Sequence, residues 1–139
     1  MSDANKALVR RWFQEVWNQG RVEVIDELLA QNARIHGLGG DPELRGPALF
    51  KPFFFAFRTA FPDIHIDILQ IIAEDDYVSV HCRVTGTHKG ALQAYVATQR
   101  RIQFAGIGIA RIQDGKIVEG WNHFDFMELY KQIGATIIP

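Results

Sequence analysis

Trp121, His123 and Asp125 stand at alternate positions near the C-terminus, immediately ahead of segment 126–134. An aromatic ring, an imidazole and a carboxylate on one strand face are side chains suited to proton transfer. One carboxyl group can remove a proton α to a carbonyl and later protonate the resulting alkoxide, if its pKa lies near working pH. An ordinary aspartate, near 3.9, is a weak base. Burial raises it by desolvating the charged form, and Trp121, Phe124 and Phe126 are the rings that would do so around Asp125. Asp125 and His123 are therefore the candidate catalytic residues. The same carboxylate has a competing use, because Asp is a favoured N-cap and Asp125 falls at the start of a predicted helix. His36, next to Ile35 on a short predicted strand, points away from a packed face, towards solvent or a cavity. No His, Asp or Glu grouping has metal-ligand spacing such as His-Glu-x-x-His, so no metal is expected. The glycines in 37–40 do not lead from a strand into a helix, which argues against a phosphate-binding loop.

The elements that must position these residues begin with a hairpin. Asp114-Gly115 between two β-rich runs is a strong turn signal, since Gly takes positive φ without steric cost. Parity from that turn predicts that Ile117, Glu119, Trp121, His123 and Asp125 share a face. On the preceding strand Ile107, Ile109 and Arg111 share one face, while Gly106 and Gly108 share the other and suit sheet bending or close approach. Segment 126–134 is an amphipathic helix stopped by Gly134. Upstream, Val78, Val80, Cys82 and Val84 alternate with Ser79, His81 and Arg83, and Ile64, Ile66 and Ile68 alternate with His65 and Asp67. A loop is expected from Gly86 to about Thr98, with His88 in a structural role there.

Helical spacing of Leu8, Val9, Trp12, Phe13, Val16 and Trp17 predicts a helix over 3–18, followed by a short helix through Val22, Ile25, Leu28 and Leu29. A short strand at 33–37 and a loop at 37–42 come next. Pro47 suits the first turn of a third helix; Pro52 implies a kink or a helix that starts near Lys51. The run Phe53, Phe54, Phe55, Phe57 and Phe61 predicts a helix buried on several sides or presenting rings to a cavity. Helices first and consecutive strands after them predict an α+β layout with a largely antiparallel sheet.

The chain's 139 residues suit one domain, 1–139, and 47% hydrophobic residues can fill a core. Ten Phe and three Trp make that core, or a cavity within it, aromatic. A net charge of -1 with no basic block argues against nucleic acid as the main partner. The lone cysteine, Cys82, calls for no oxidising compartment, no run is long enough for a membrane span, and 1–6 lacks signal-peptide character. A cytoplasmic protein is expected.

Several segments together resemble the SnoaL-like polyketide cyclase (ester cyclase) family, within the nuclear transport factor 2-like superfamily. They are His36 after the second helix, Ala60-Phe61-Pro62-Asp63, Gly86-Thr87-His88-Lys89-Gly90, the run from Arg111 to Trp121, Asp125, and Gln132-Ile133-Gly134. The resemblance spans nearly the whole chain. It implies an α+β cone whose curved, mostly antiparallel sheet wraps around N-terminal helices and encloses an apolar pocket, and a homodimer formed through the sheet. It also implies cofactor-independent chemistry, an intramolecular aldol closure on an apolar carbonyl-bearing ring molecule. By position, the family's acid–base aspartate matches Asp125 and its polar residue on the first strand matches His36. Family cyclases place polar side chains on the cavity face of the penultimate strand, where this chain offers Ile107, Ile109 and Arg111. Trp121, Trp17 and Phe57 complete the expected ligand contacts. The alternative expectation is a non-catalytic dimeric domain that binds a small apolar molecule, because one fold hosts both.

Overall fold

The computed structural model describes residues 2–39 and 43–134. Helix α1 (Ser2–Arg11) continues into a π-helical stretch, Trp12–Asn18, whose wider pitch is marked by Gln19 N–H donating to the Gln14 carbonyl at 3.0 Å. The predicted helix over 3–18 is thus one rod with a change of pitch, and Phe13, Val16 and Trp17 on its wide part are buried. Asn18 then clamps the sheet edge: Nδ2 donates to the Ile66 carbonyl at 3.0 Å and Oδ1 accepts from Ile66 N–H at 2.7 Å. Helix α2 (Val22–Leu28) leads directly into β1 (Leu29–His36). A two-residue strand β2 (Leu44–Arg45), not expected from the sequence, pairs antiparallel with β1. Part of the predicted 37–42 loop, residues 40–42, lies outside the described residues.

Helix α3 (Gly46–Ala60) has Pro47 in its first turn, as expected, and passes through Pro52 instead of starting near Lys51. The ring of Pro52 is exposed, so its steric bulk falls on the solvent side. Strands β3 (His65–Glu74), β4 (Tyr77–Thr87), β5 (Arg101–Gln113) and β6 (Lys116–Phe124) follow, then helix α4 (Phe126–Gln132). The curved sheet has the order β2-β1-β6-β5-β4-β3, antiparallel except where β1 runs parallel to β6. This is the α+β cone that the resemblance implies, with the helices on the inner face. Val78, Val80, Cys82 and Val84 are buried there, and desolvation pushes the Cys82 thiol up to about 12. Gln132 docks α4 onto β5, its amide accepting from Gln103 N–H and donating to the Gln103 carbonyl, both at 2.7 Å.

His88 fastens the long β4–β5 connection. Its Nδ1 accepts from Thr98 N–H at 3.3 Å and contacts Thr98 Oγ1 at 3.0 Å, while its ring lies 5.5 Å from Phe61. Because Nδ1 accepts from an amide, the neutral ring carries its proton on Nε2, which is buried without a hydrogen-bond partner among the described residues. Burial holds this imidazole below its ordinary pKa, opposed by the Gly90 backbone. The folded state therefore takes up the proton less readily than the unfolded chain, so the stability tied to His88 is complete above about pH 6.5 and is lost as pH falls below it. Melting temperatures taken from about pH 7.5 down to about pH 5.5 should fall more steeply for the wild type than for His88→Gln. Parallel slopes would remove the titration from His88.

Candidate active-site cavity

An apolar cavity lies between the inner sheet face and the helices. The π-helical stretch supplies Trp12, Phe13 and Trp17, and α3 supplies Phe50, Phe53 and Phe57 at helical spacing. Trp17 meets Phe53 and Phe57 edge to face, with centroids 6.2 and 6.5 Å apart, and Arg58 Nη1 holds the Trp17 carbonyl at 2.9 Å. Trp17 and Phe57, expected as ligand contacts, are cavity walls. The sheet contributes Val78, Val80 and Val84 from β4, Gly108 and Ala110 from β5, and Gly120, Asn122 and Phe124 from β6; Phe126 of α4 closes one end. The cavity has a volume of about 100 Å³.

Sheet register decides which side chains reach this space. Arg111 pairs with Glu119 and Ile112 with Ile117, so Val118 is an extra residue, a β-bulge in β6. The bulge reverses parity. Ile117 is buried inside, whereas Glu119, Trp121 and His123 face outward and Gly120, Asn122 and Phe124 face inward. The predicted shared face of Ile117, Glu119, Trp121, His123 and Asp125 is corrected accordingly.

The same pairing corrects the expected cavity positions. Cross-strand partners share a face, and one outer row reads Ile72, Ser79, Ile109, Trp121, His36; the next reads Gln70, His81, Ile107, His123. Ile107 is 50% exposed and Ile109 40%. Ile109 borders the cavity through its place between Gly108 and Ala110, but alternation turns its side chain outward. Arg111 lies in a third outer row with Tyr77, Glu119 and Arg34. His36, Trp121, Ile109 and Arg111 are therefore brought together, on the opposite side of the sheet from the cavity. The cavity face of β5 carries Gly106, Gly108 and Ala110 instead.

On that outer face Glu119 is the hub. His36 Nε2 lies 2.7 Å from Glu119 Oε2, and Arg111 Nη2 donates to Oε1 at 3.4 Å. Hydrogen bonding from His36, then Arg111, and the charge of Arg34 hold the Glu119 carboxyl below the usual range. Trp121 stacks on His36 with centroids 5.7 Å apart and planes at 22°.

Asp125 caps α4. Its Oδ1 accepts from Glu128 N–H at 3.0 Å, and its own N–H donates to the Ala105 carbonyl at 2.9 Å. The residue is exposed and does not line the cavity, although its neighbours Phe124 and Phe126 do. His123 is exposed too. The expectation of an Asp125 carboxylate buried beside Trp121 and opening into the cavity is thereby corrected: the backbone amide of the first helical turn holds it.

Asn122 is the wall residue that sequence reasoning missed. Among the described lining residues it alone has a polar side chain other than the tryptophan indoles. Its Nδ2 donates to the His36 carbonyl at 3.0 Å across the β1–β6 pairing. The signal for it was the clash of Ile117 with Glu119 at same-face spacing: one core face does not take both unless the strand is bulged between them.

The sequence and the fold have counterparts in known proteins. The sequence profile of the SnoaL-like polyketide cyclase family matches residues 7–133. This chain belongs to that family. Aklanonic acid methyl ester cyclase DnrD of Streptomyces peucetius is 31% identical over 129 residues, 91% of this chain and 88% of its own. The crystal structure of AclR from Streptomyces galilaeus, whose assignment as a hydroxylase is provisional, superposes with a TM-score of 0.86 at 25% identity, covering 96% of this chain and 98% of AclR. IdmH of Streptomyces antibioticus, provisionally a polyketide cyclase, gives 0.80 at 25% identity over 94% of this chain and 99% of its own. Among the described residues of this SnoaL-like domain, no three His, Cys, Asp or Glu side chains gather as a metal cage, and no helix is long and apolar enough to cross a membrane.

Gly106 lets the cavity-lining ring of Phe124 pack directly on β5. A Cβ there would lie 2.4 Å from ring carbons of Phe124 and 2.7 Å from its Cα. Backbone cannot yield as a flexible side chain can, so Gly106→Ala should destabilise the fold by about 1–3 kcal/mol. Chemical denaturation reads this directly, and a loss below about 0.5 kcal/mol would contradict the packing described.

Proposed function

We propose that this protein is a polyketide cyclase-type enzyme that closes a ring by intramolecular aldol chemistry on an apolar, carbonyl-bearing molecule. The observation that carries the reading is the aromatic-walled cavity on a scaffold shared with ester cyclases over nine-tenths of the chain. Such walls favour a flat apolar substrate by removing both surfaces from water. In the reaction a base takes a proton α to one carbonyl, the resulting enolate carbon bonds to a second carbonyl carbon, and the alkoxide so formed receives the proton back. No external oxidant or cofactor is needed for that balance.

Asp125 is the proposed acid–base residue, supported by its place between the wall residues Phe124 and Phe126. Of its carboxylate oxygens, Oδ1 is engaged by the helix, which leaves Oδ2 for a substrate at the cavity rim. His123, exposed two residues earlier, is the proposed second proton-transfer group. One observation favours a second reading, a non-catalytic binding domain: no carboxylate or imidazole lines the cavity among the described residues.

The proposed assembly is a homodimer through the outer sheet face. Support comes from Ile72, Tyr77 and Ile107, exposed by 65%, 46% and 50% on that face, beside the His36–Glu119–Arg111 network. His36, Trp121 and Arg111 would then act at the subunit boundary. A cytoplasmic location is part of the same reading, supported by the one cysteine, Cys82, being a free, buried thiol.

Asp125→Asn separates catalysis from capping, because Asn remains a competent cap. It should keep the melting temperature and lose turnover on a panel of cyclisable diketones and polyketides, whereas Asp125→Ala should lose about 1 kcal/mol of stability as well. Full activity in Asp125→Asn would remove it from the chemistry, and ligand binding without turnover by the wild type would select the binding-domain reading. For assembly, light scattering should give a dimer mass for the wild type and a monomer mass for Ile72→Glu combined with Ile107→Glu. A monomeric wild type at micromolar concentration would sink the dimer.

A further inference from the structure

We propose that Asn122 is the specificity-determining residue of the cavity: its side-chain carbonyl accepts a hydrogen bond from a hydroxyl, phenolic or enolic, on the edge of a flat apolar ring lying across Gly108 and Gly120. This rests on the reading of the cavity as the ligand site and names the ligand chemistry that site selects.

The amide's orientation is fixed by its partner. A backbone carbonyl only accepts, so the end of Asn122 that faces the His36 carbonyl at 3.0 Å must be Nδ2. Oδ1 is turned the other way, has no protein donor among the described residues, and is not sealed off from water-sized molecules. It is an open acceptor in a wall that is otherwise hydrocarbon and aromatic. A ligand hydroxyl that enters such a space gives up its bonds to water and recovers one here; an ether or a bare ring edge leaves Oδ1 unmatched.

Two glycines keep the amide uncovered. A Cβ on Gly108 would meet nothing nearer than 3.6 Å, and one of its nearest atoms would be Asn122 Oδ1 itself. A Cβ on Gly120 would meet nothing nearer than 3.9 Å, with Asn122 Nδ2 among its nearest atoms. Neither position has a positive φ. Backbone conformation and protein packing therefore require glycine at neither position, in contrast to Gly106. The bare backbone leaves room for a ring against the sheet, in reach of the amide and facing the rings of α3.

Calorimetric titration of the intact protein with 1-naphthol, naphthalene and 1-methoxynaphthalene tests this. The wild type should bind 1-naphthol roughly tenfold more tightly than either of the others. Asn122→Leu should erase that preference and still bind naphthalene. Asn122→Gln, which keeps a neutral amide with both a donor and an acceptor, should retain it, and it decides the matter together with the wild-type series if the Leu variant does not fold. Gly108→Ala should keep the wild-type melting temperature and weaken all three ligands. Equal wild-type affinities that Gly108→Ala still weakens would overturn the role of Asn122 and leave the cavity as the ligand site. Failure of the wild type to bind any of the three would overturn both.

Discussion

A single additional residue in β6, Val118, sets the chemistry of both faces of the sheet. Before the bulge Ile117 packs into the core; after it the even-numbered residues face inward and the odd-numbered ones outward. Without the bulge, Glu119 would be driven into a cavity lined by Phe, Trp and Val, where an unpaired carboxylate is very costly. With it, Glu119 reaches His36, Arg111 and Arg34 on the outer face, and Asn122 takes the inner one. The ionic network and the polar point of the cavity are two consequences of one register shift.

The cavity depends on an asymmetry between its walls. Its helical wall is built from Trp17, Phe50, Phe53 and Phe57, rings held by edge and tilted contacts with one another. Interlocked rings of this kind resist collapse into an adjacent void. Opposite them, Gly108, Ala110 and Gly120 thin the sheet wall. Space survives between a stiff thick wall and a thin one; side chains of ordinary size on both would have closed it.

Asp125 illustrates how position and packing assign one carboxylate. The turn from β6 into α4 leaves helix amides unsatisfied, and Asp125 Oδ1 meets the amide of Glu128. Because Phe124 and Phe126 on either side turn into the cavity, the cap stands at its rim and not within it.

Local patterns in the sequence determined the elements and the fold class. The Asp114-Gly115 turn, the alternation in β4, the helical stripes with Trp17 and Phe57, and the capping position of Asp125 follow from near neighbours, and each appears in the structure. Family membership was likewise legible from short segments in a fixed order. Which residues share the cavity was not. Strand parity propagates from a turn, so the bulge at Val118 reversed every side chain beyond it, and the flanking strand β1, parallel and distant in sequence, supplied the carbonyl that orients Asn122. His36, Trp121, Ile109 and Arg111, expected at the cavity with Trp17 and Phe57, lie on the other side of the sheet, because sequence spacing fixes which residues lie together on a strand and only the packed sheet decides which side of it meets the helices.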